Sequence, residues 1–264
     1  MLLIGSQYYY IGGFSMKSKR LVALLCALLM ALSVVSLASA EGNAKYFGYE
    51  SSYYTLSNGK TVSFILMPSS HTLYTSDGSS YTDVIYDCEG PVKATVKSGK
   101  DWITVKNTMS SFIVTFSSNR TMKARTGKIV VKGDGYKATM NFTQYGCDKI
   151  LSAVRTKKAV TLKFKFGTGA KAHYLSVDYE AHKIEDDMSW WGGYNELYRD
   201  KITKKSYKFN VAKGNYYWFD LGPALAYKSG DYTYYRWSTT SYGGMFVEKV
   251  TGTQSPDYLY NNAD

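Results

Sequence analysis

The chain has 264 residues, a formal net charge of +11, 16% aromatic residues and only four prolines. So many rings with so little proline belong to a folded β protein and exclude a disordered stalk. Its lysines are scattered rather than clustered, which argues against a nucleic-acid face. A positive surface suits acidic polysaccharide, a teichoic-type polymer or an anionic cell surface, although excess lysine also solubilises a β-rich protein and guards its sheet edges.

Met16-Lys17-Ser18-Lys19-Arg20 is cationic, residues 21–37 are almost unbroken apolar sequence, and Ala38-Ser39-Ala40 precedes Glu41. That is the three-part layout of a secretory signal. A membrane anchor is the alternative that a run of this length raises. The small residues at the cleavage positions, followed at once by polar sequence, favour removal. Residues 1–15 precede a natural start at Met16, and Cys26 follows Leu24 and Leu25 instead of the small residue a lipoprotein signal needs. The expected division is 1–40 as upstream extension plus signal peptide and 41–60 as a lead segment. Cleavage takes away Lys17, Lys19 and Arg20 and no acid, so the exported chain stays basic and has no membrane span.

From Thr61 onward, short alternating runs are separated by Gly, Asn, Asp and Ser, with no helical period, and the expected fold class is all-β. Val92, Ala94 and Val96 alternate with Lys93, Thr95 and Lys97; Phe112, Val114 and Phe116 alternate with Ile113 and Thr115; Ala138, Met140 and Phe142 alternate with Thr139 and Asn141. Gly133-Asp134-Gly135 signals a hairpin, because these residues accept the positive φ of tight turns. Strands this short and regular favour a sandwich over residues 61–146. After Cys147 the pattern restarts with Val160, Leu162, Phe164 and Phe166 alternating with Thr161, Lys163 and Lys165, so 147–264 is expected to form a second, aromatic-rich sandwich. Further strands are expected at 172–179, 206–211, 216–221 and 232–237. Residues 184–204 break the alternation and predict a long loop with one helical turn at 195–199.

Two cysteines lie beyond the leader, Cys88 and Cys147. Export would allow a disulfide, and closing a loop of nearly sixty residues is worth about 4 kcal/mol in the chain-entropy picture. Spacing alone leaves the paired and free states open.

Asp101-Trp102-Ile103-Thr104-Val105, then Asn119 with Arg125-Thr126-Gly127-Lys128-Ile129-Val130-Val131, then Phe142-Thr143-Gln144-Tyr145-Gly146 follow one another in order. In these landmarks the 61–146 segment resembles a BACON domain, an immunoglobulin-like module of secreted and surface proteins of gut bacteria. The resemblance implies a seven-stranded sandwich, a bacterial cell-surface or extracellular setting, and a role in carbohydrate or mucin binding or as a spacer. It brings no catalytic residues. Residues 147–264 resemble a fibronectin-type or other immunoglobulin-like sandwich in architecture only, so the whole chain reads as two such sandwiches in tandem after a cleaved signal peptide.

Catalytic and metal chemistry find little footing. His71 stands alone in a polar turn, and Asp178, Glu180 and His182 share one strand face with His173 upstream, but at no known metal spacing. Asp186-Asp187 sits beside two tryptophans, yet sequence neighbours do not provide the opposed carboxylates of glycoside hydrolysis. No nucleophile elbow, phosphate loop or cofactor motif is present. Trp102, in an Ile-Thr-Val context, is expected in the core. The candidate sugar-stacking residues are Trp190, Trp191 and Tyr194 in the expected loop, with Tyr235 and Trp237 in an aromatic strip shared with Tyr217, Trp218 and Tyr234. Tyrosine ladders that stiffen a sheet explain such residues singly. The expected function is a secreted, non-catalytic binding or adhesion protein contacting a glycan, with no cofactor. A spacer or protein-interaction module is the alternative, and a glycoside hydrolase is third. The Tyr258-Leu259-Tyr260-Asn261-Asn262 end carries neither a sorting motif nor a membrane tail, so release or non-covalent surface retention is expected.

Overall fold

A computed structural model describes residues 45–49, 52–56, 61–68, 73–74, 80–81, 83–88, 90–133, 136–185, 188–191, 195–229, 231–249 and 251–263. The expected signal segment, His71, Asp186, Asp187 and Tyr194 lie outside the described residues. Among the described residues every regular element is a strand, and no helix is long and apolar enough to cross a membrane. Lys45–Asp264 is one compact unit.

The strands of its first half are β1 (Lys45–Tyr49), β2 (Ser52–Leu56), β3 (Thr61–Leu66), β4 (Leu73–Tyr74), β5 (Ser80–Tyr81), β6 (Asp83–Asp87), β7 (Val92–Ser98), β8 (Ile103–Asn107), β9 (Ser111–Phe116), β10 (Arg125–Gly133) and β11 (Tyr136–Gln144). They form a five-stranded sheet in the order β2-β1-β6-β9-β8 and a six-stranded sheet in the order β5-β4-β3-β11-β10-β7. β3 runs parallel to β11, and the other described pairs are antiparallel. Gly133 pairs with Tyr136 across the expected hairpin. Alternate residues enter the core between the sheets: Phe112, Val114 and Phe116 from β9, and Ala138, Met140 and Phe142 from β11. Trp102 is 3% exposed there, and the Arg125 guanidinium lies over its ring, 4.7 Å from the centroid.

The motif residues are structural. Asn119 Nδ2 donates to the carbonyls of Lys123 and Tyr145, both at 2.8 Å. Buried Gln144 accepts from Arg125 Nε at 2.8 Å and donates to the carbonyls of Met67 and Ser117 at 3.2 Å. Each interior amide is thereby satisfied and ties loops to strands.

The second half contains β12 (Lys149–Thr156), β13 (Ala159–Lys165), β14 (Ala172–Glu185), β15 (Met188–Trp191), β16 (Asn195–Ile202), β17 (Ser206–Asn210), β18 (Asn215–Ser229), β19 (Tyr232–Trp237), β20 (Ser241–Phe246), β21 (Thr253–Gln254) and β22 (Tyr258–Asn261). One sheet is β17-β13-β12-β21; the other is β15-β14-β18-β20-β22, with β16 paired to β14 and β19 to β18. Its core draws Val160, Leu162 and Phe164 from β13, Leu175 and Val177 from β14, and Tyr217, Phe219 and Leu221 from β18.

The expected loop at 184–204 is corrected by the structure. β14 continues to Glu185 and pairs with β15, placing Trp190 opposite Lys183 and Trp191 opposite His182, and the expected helical turn at 195–199 is part of β16. β16 buries only Ile202, with Asn195, Glu196 and Leu197 exposed. A strand with so little buried surface has no reason to alternate, and its sequence reads as loop.

The candidate disulfide is also corrected. Cys88 and Cys147 are both buried and are not joined in a disulfide. Cys147 Sγ donates to the Asn119 carbonyl at 3.0 Å and Cys88 Sγ to the Tyr86 carbonyl at 3.7 Å. Cys88 follows β6 of the five-stranded sheet, whereas Cys147 follows β11 of the six-stranded one, and each thiol is directed at its own local acceptor.

Candidate functional site

The outward face of the seven-stranded sheet gathers the polar and aromatic groups best placed to meet a ligand. Because β18 sends Tyr217, Phe219 and Leu221 into the core, Tyr216, Trp218 and Asp220 point the other way. The same alternation turns Tyr174, Ser176, Asp178 and Glu180 outward on β14, Tyr242 and Gly244 on β20, and Tyr258 and Tyr260 on β22.

Strand register aligns these residues in rows. One row runs Arg199, Ser176, Asp220, Tyr242, Tyr260. The next runs Glu196, Asp178, Trp218, Gly244, Tyr258. A third pairs Glu180 with Tyr216 and Tyr216 with Phe246. The face therefore passes from a polar flank over β16 and β14 to an aromatic flank over β20 and β22.

On the polar flank, Ser176 Oγ donates to Asp178 Oδ2 at 2.7 Å, and Arg199 reaches Asp178 Oδ1, Ser176 Oγ and Glu196, each at 3.4 Å. These contacts compensate the burial of Asp178, which is 2% exposed. Asp220 lies beside it with no hydrogen bond to its carboxylate from the described residues. Burial, reinforced by the Asp178 charge and opposed by Arg199, pushes the Asp220 carboxyl up to about 6.

On the aromatic flank, Tyr242 sits 5.1 Å from Tyr260 and 6.2 Å from Tyr258, centroid to centroid. These rings are 38%, 49% and 42% exposed respectively. Trp218 lies 4.8 Å from Tyr216. Burial and a hydrogen bond with Tyr258 raise the Tyr216 hydroxyl above its ordinary range. Gly244 lets them pack closely, because a Cβ there would meet the Tyr216 hydroxyl and come within 2.6 Å of the Tyr258 ring.

Of the residues singled out from sequence, Trp237 stacks on Tyr174 at 4.1 Å and Tyr235 lies 6.4 Å from the same ring, which joins β19 to this face. Tyr217 belongs to the core and Trp218 faces outward. Trp190 and Trp191 lie on β15, with their side chains outside the described residues. His173 is engaged with Asp148 and stacked on Phe166. Among the described residues no group of three His, Cys, Asp or Glu is placed to hold a metal ion. Sequence reasoning missed Asp220, Tyr242, Tyr258 and Tyr260. The alternation of β18 and the Tyr-Leu-Tyr spacing at 258–260 carry the signal that would have found them.

Residues 92–144 match the BACON family, described as "Putative binding domain, N-terminal". This stretch of the all-β fold is thus similar to a family described as a binding domain. No curated protein matches it. Among solved structures, titin domains A168–A170 are 10% identical with a TM-score of 0.28, over 77% of this chain and 62% of that one. The FN1–FN3 domains of chicken CNTN1 are 10% identical with a TM-score of 0.25, over 69% and 65%. A chimeric titin Z1Z2 carrying a decorin peptide is 6% identical with a TM-score of 0.24, over 75% and 96%. The chain thus spans less than two thirds of the length of the first and second of these.

Proposed function

We propose that the protein is a secreted or cell-surface, non-catalytic binding module of two tandem sandwiches that contacts carbohydrate through the outward face of the seven-stranded sheet. The observation that supports this is the register that sets Tyr242 and Tyr260 in one row with Asp220, Ser176 and Arg199. Exposed rings offer flat apolar faces to the C–H side of a sugar, and neighbouring polar groups offer partners to its hydroxyls. The polar flank suits binding better than hydrolysis, since Asp178 is buried and occupied by Ser176 and Arg199. Glycoside cleavage needs two carboxylates that reach the substrate.

The test is a fluorescence and calorimetric titration of the protein against host and plant polysaccharides. A Tyr242→Ala/Tyr260→Ala double variant and a Trp190→Ala/Trp191→Ala double variant run alongside. Saturable binding that the tyrosine variant weakens about tenfold or more, roughly 1.4 kcal/mol, supports the sheet face. Loss confined to the tryptophan variant moves the site to β15. A flat response across the panel supports the spacer reading.

A further inference from the structure

The junction between the two sandwiches is tightly built. Gly146 N donates to the Thr168 carbonyl at 3.0 Å, Thr168 N to the Met122 carbonyl at 2.9 Å, and Cys147 N to the Thr121 carbonyl at 2.8 Å. Thr168 Oγ1 accepts from Ala124 N at 2.7 Å. Gly169, at φ +97°, lets the chain pass so close that a Cβ would sit 2.8 Å from the Ala124 Cβ and 3.0 Å from the Tyr145 ring. These contacts fix the walls of a cleft of about 370 Å³.

One wall of the cleft is Phe64 and Ile65 of β3 with Tyr145; the other is Leu225 and Ala226 of β18, and Lys171 stands on the rim. The volume is within the range of small-molecule sites, and a junction of packed modules is a common place for them. The lining is mostly apolar, which ill suits a sugar. Lys171 is exposed and makes no ion pair or hydrogen bond with the described residues. Among the described residues that line this apolar slot it is the one cation, in a chain of net charge +11.

We propose that this cleft is a binding site, separate from the sheet face, for a small amphipathic carboxylate. The alkyl or aryl body lies between Ile65 and Leu225, and the carboxylate meets Lys171. Apolar burial supplies the bulk of the affinity, and the lysine orients the ligand and selects anions over neutral analogues. Because both sandwiches form the walls, the occupied cleft also braces the junction.

The test uses dansylaminoundecanoic acid and its uncharged methyl ester as fluorescent probes of the full chain. The acid is expected to bind saturably and to raise the midpoint of thermal unfolding. Lys171→Met is expected to weaken the acid about tenfold while leaving the ester unchanged. Ala226→Trp, which fills the slot from an exposed position on β18, is expected to abolish both. Absence of saturable binding to the wild-type protein overturns the proposal. So does acid binding that Lys171→Met leaves intact, or binding of both probes that survives in a folded Ala226→Trp variant. The glycan titration is unaffected by either result, so the two readings fail independently.

Discussion

His173 Nδ1 lies 2.8 Å from Oδ2 and 2.9 Å from Oδ1 of Asp148, a carboxylate that also accepts the Gly167 N–H at 2.7 Å. The Asp148 backbone is fixed too: its N–H donates to Thr240 Oγ1 and its carbonyl accepts from the same hydroxyl, both at 2.9 Å. The first residue after Cys147 is thus bonded to the 167–173 segment and to the turn before β20. Removing the carboxylate strands the Gly167 N–H and the imidazole in the interior. Asp148→Ala is therefore expected to destabilise the protein by about 1–3 kcal/mol, read as a lower urea midpoint at unchanged slope.

Asp148→Asn separates hydrogen bonding from charge. Burial raises the Asp148 carboxyl above 3.8, while the His173 and Gly167 contacts pull it down. For a carboxyl raised on folding, the stability it contributes is complete below the unfolded value and is lost as pH climbs through the folded one. Measured by urea unfolding, the asparagine variant should lose less than the alanine variant at pH 7. Relative to wild type, it should fare worse at pH 3.5 than at pH 7. A difference independent of pH would show that the charge is fully compensated.

Asp220 gives a sharper pH signature. Its carboxyl moves from 3.8 to about 6, so the ionised form opposes folding. Wild-type stability from this site is retained below pH 3.8 and lost as pH rises through about 6. Asp220→Asn should exceed wild type by about 1–2 kcal/mol at pH 7.5, a figure discounted for partial solvent screening. The gap should close below about pH 4. Chemical denaturation in steps from pH 3.5 to 7.5 checks it, and parallel wild-type and variant curves would exclude Asp220 as the titrating group.

How much of this was legible in the sequence depends on what each signal needs. The strands carrying Phe112, Val114 and Phe116, or Val160, Leu162 and Phe164, announce themselves because one face is buried. The core position of Trp102 followed from its apolar neighbours, whereas Tyr217 and Trp218 were grouped in one strip until the register of β18 turned Tyr217 inward. β16 was unreadable, since an edge strand that buries only Ile202 is under no pressure to alternate. Asp148 with His173, or Asp220 with Tyr242, could not be paired in advance because register between distant strands is set by tertiary packing. The cysteines show the same limit: compartment and count permitted a bond, and the sheets place the thiols on separate acceptors.

Burial and the neighbouring Asp148 charge push the Cys147 thiol up to about 11, so almost no thiolate is available at neutral pH. Cys88 and Cys147 are expected to resist a disulfide-exchange reagent in the native protein and to label fully in denaturant, as read by peptide mass spectrometry. Reductant should leave the unfolding midpoint unchanged. A midpoint that falls on reduction would instead reveal a disulfide.

At Gly146 the backbone of one loop presses directly on another. A Cβ at this position would collide with the Met122 carbonyl and come within 3.0 Å of Lys123 N. Neither obstacle is the movable end of a side chain, and the residue is itself tied through its N–H to Thr168. Gly146→Ala must therefore shift one loop against another and is expected to cost about 1–3 kcal/mol or more. Gly90 is the control: its φ is +78°, but a Cβ there meets nothing within 4 Å. Gly90→Ala should cost only the left-handed backbone penalty of about 1–2 kcal/mol. Equilibrium unfolding of the two variants separates crowding from conformation. A clearly larger loss at Gly146, with a weaker fatty-acid probe in the adjoining cleft, would show that the close approach of the 122–123 and 146 segments fixes them where they meet Thr168. Equal losses would mean that the junction yields to a methyl group and does not fix them.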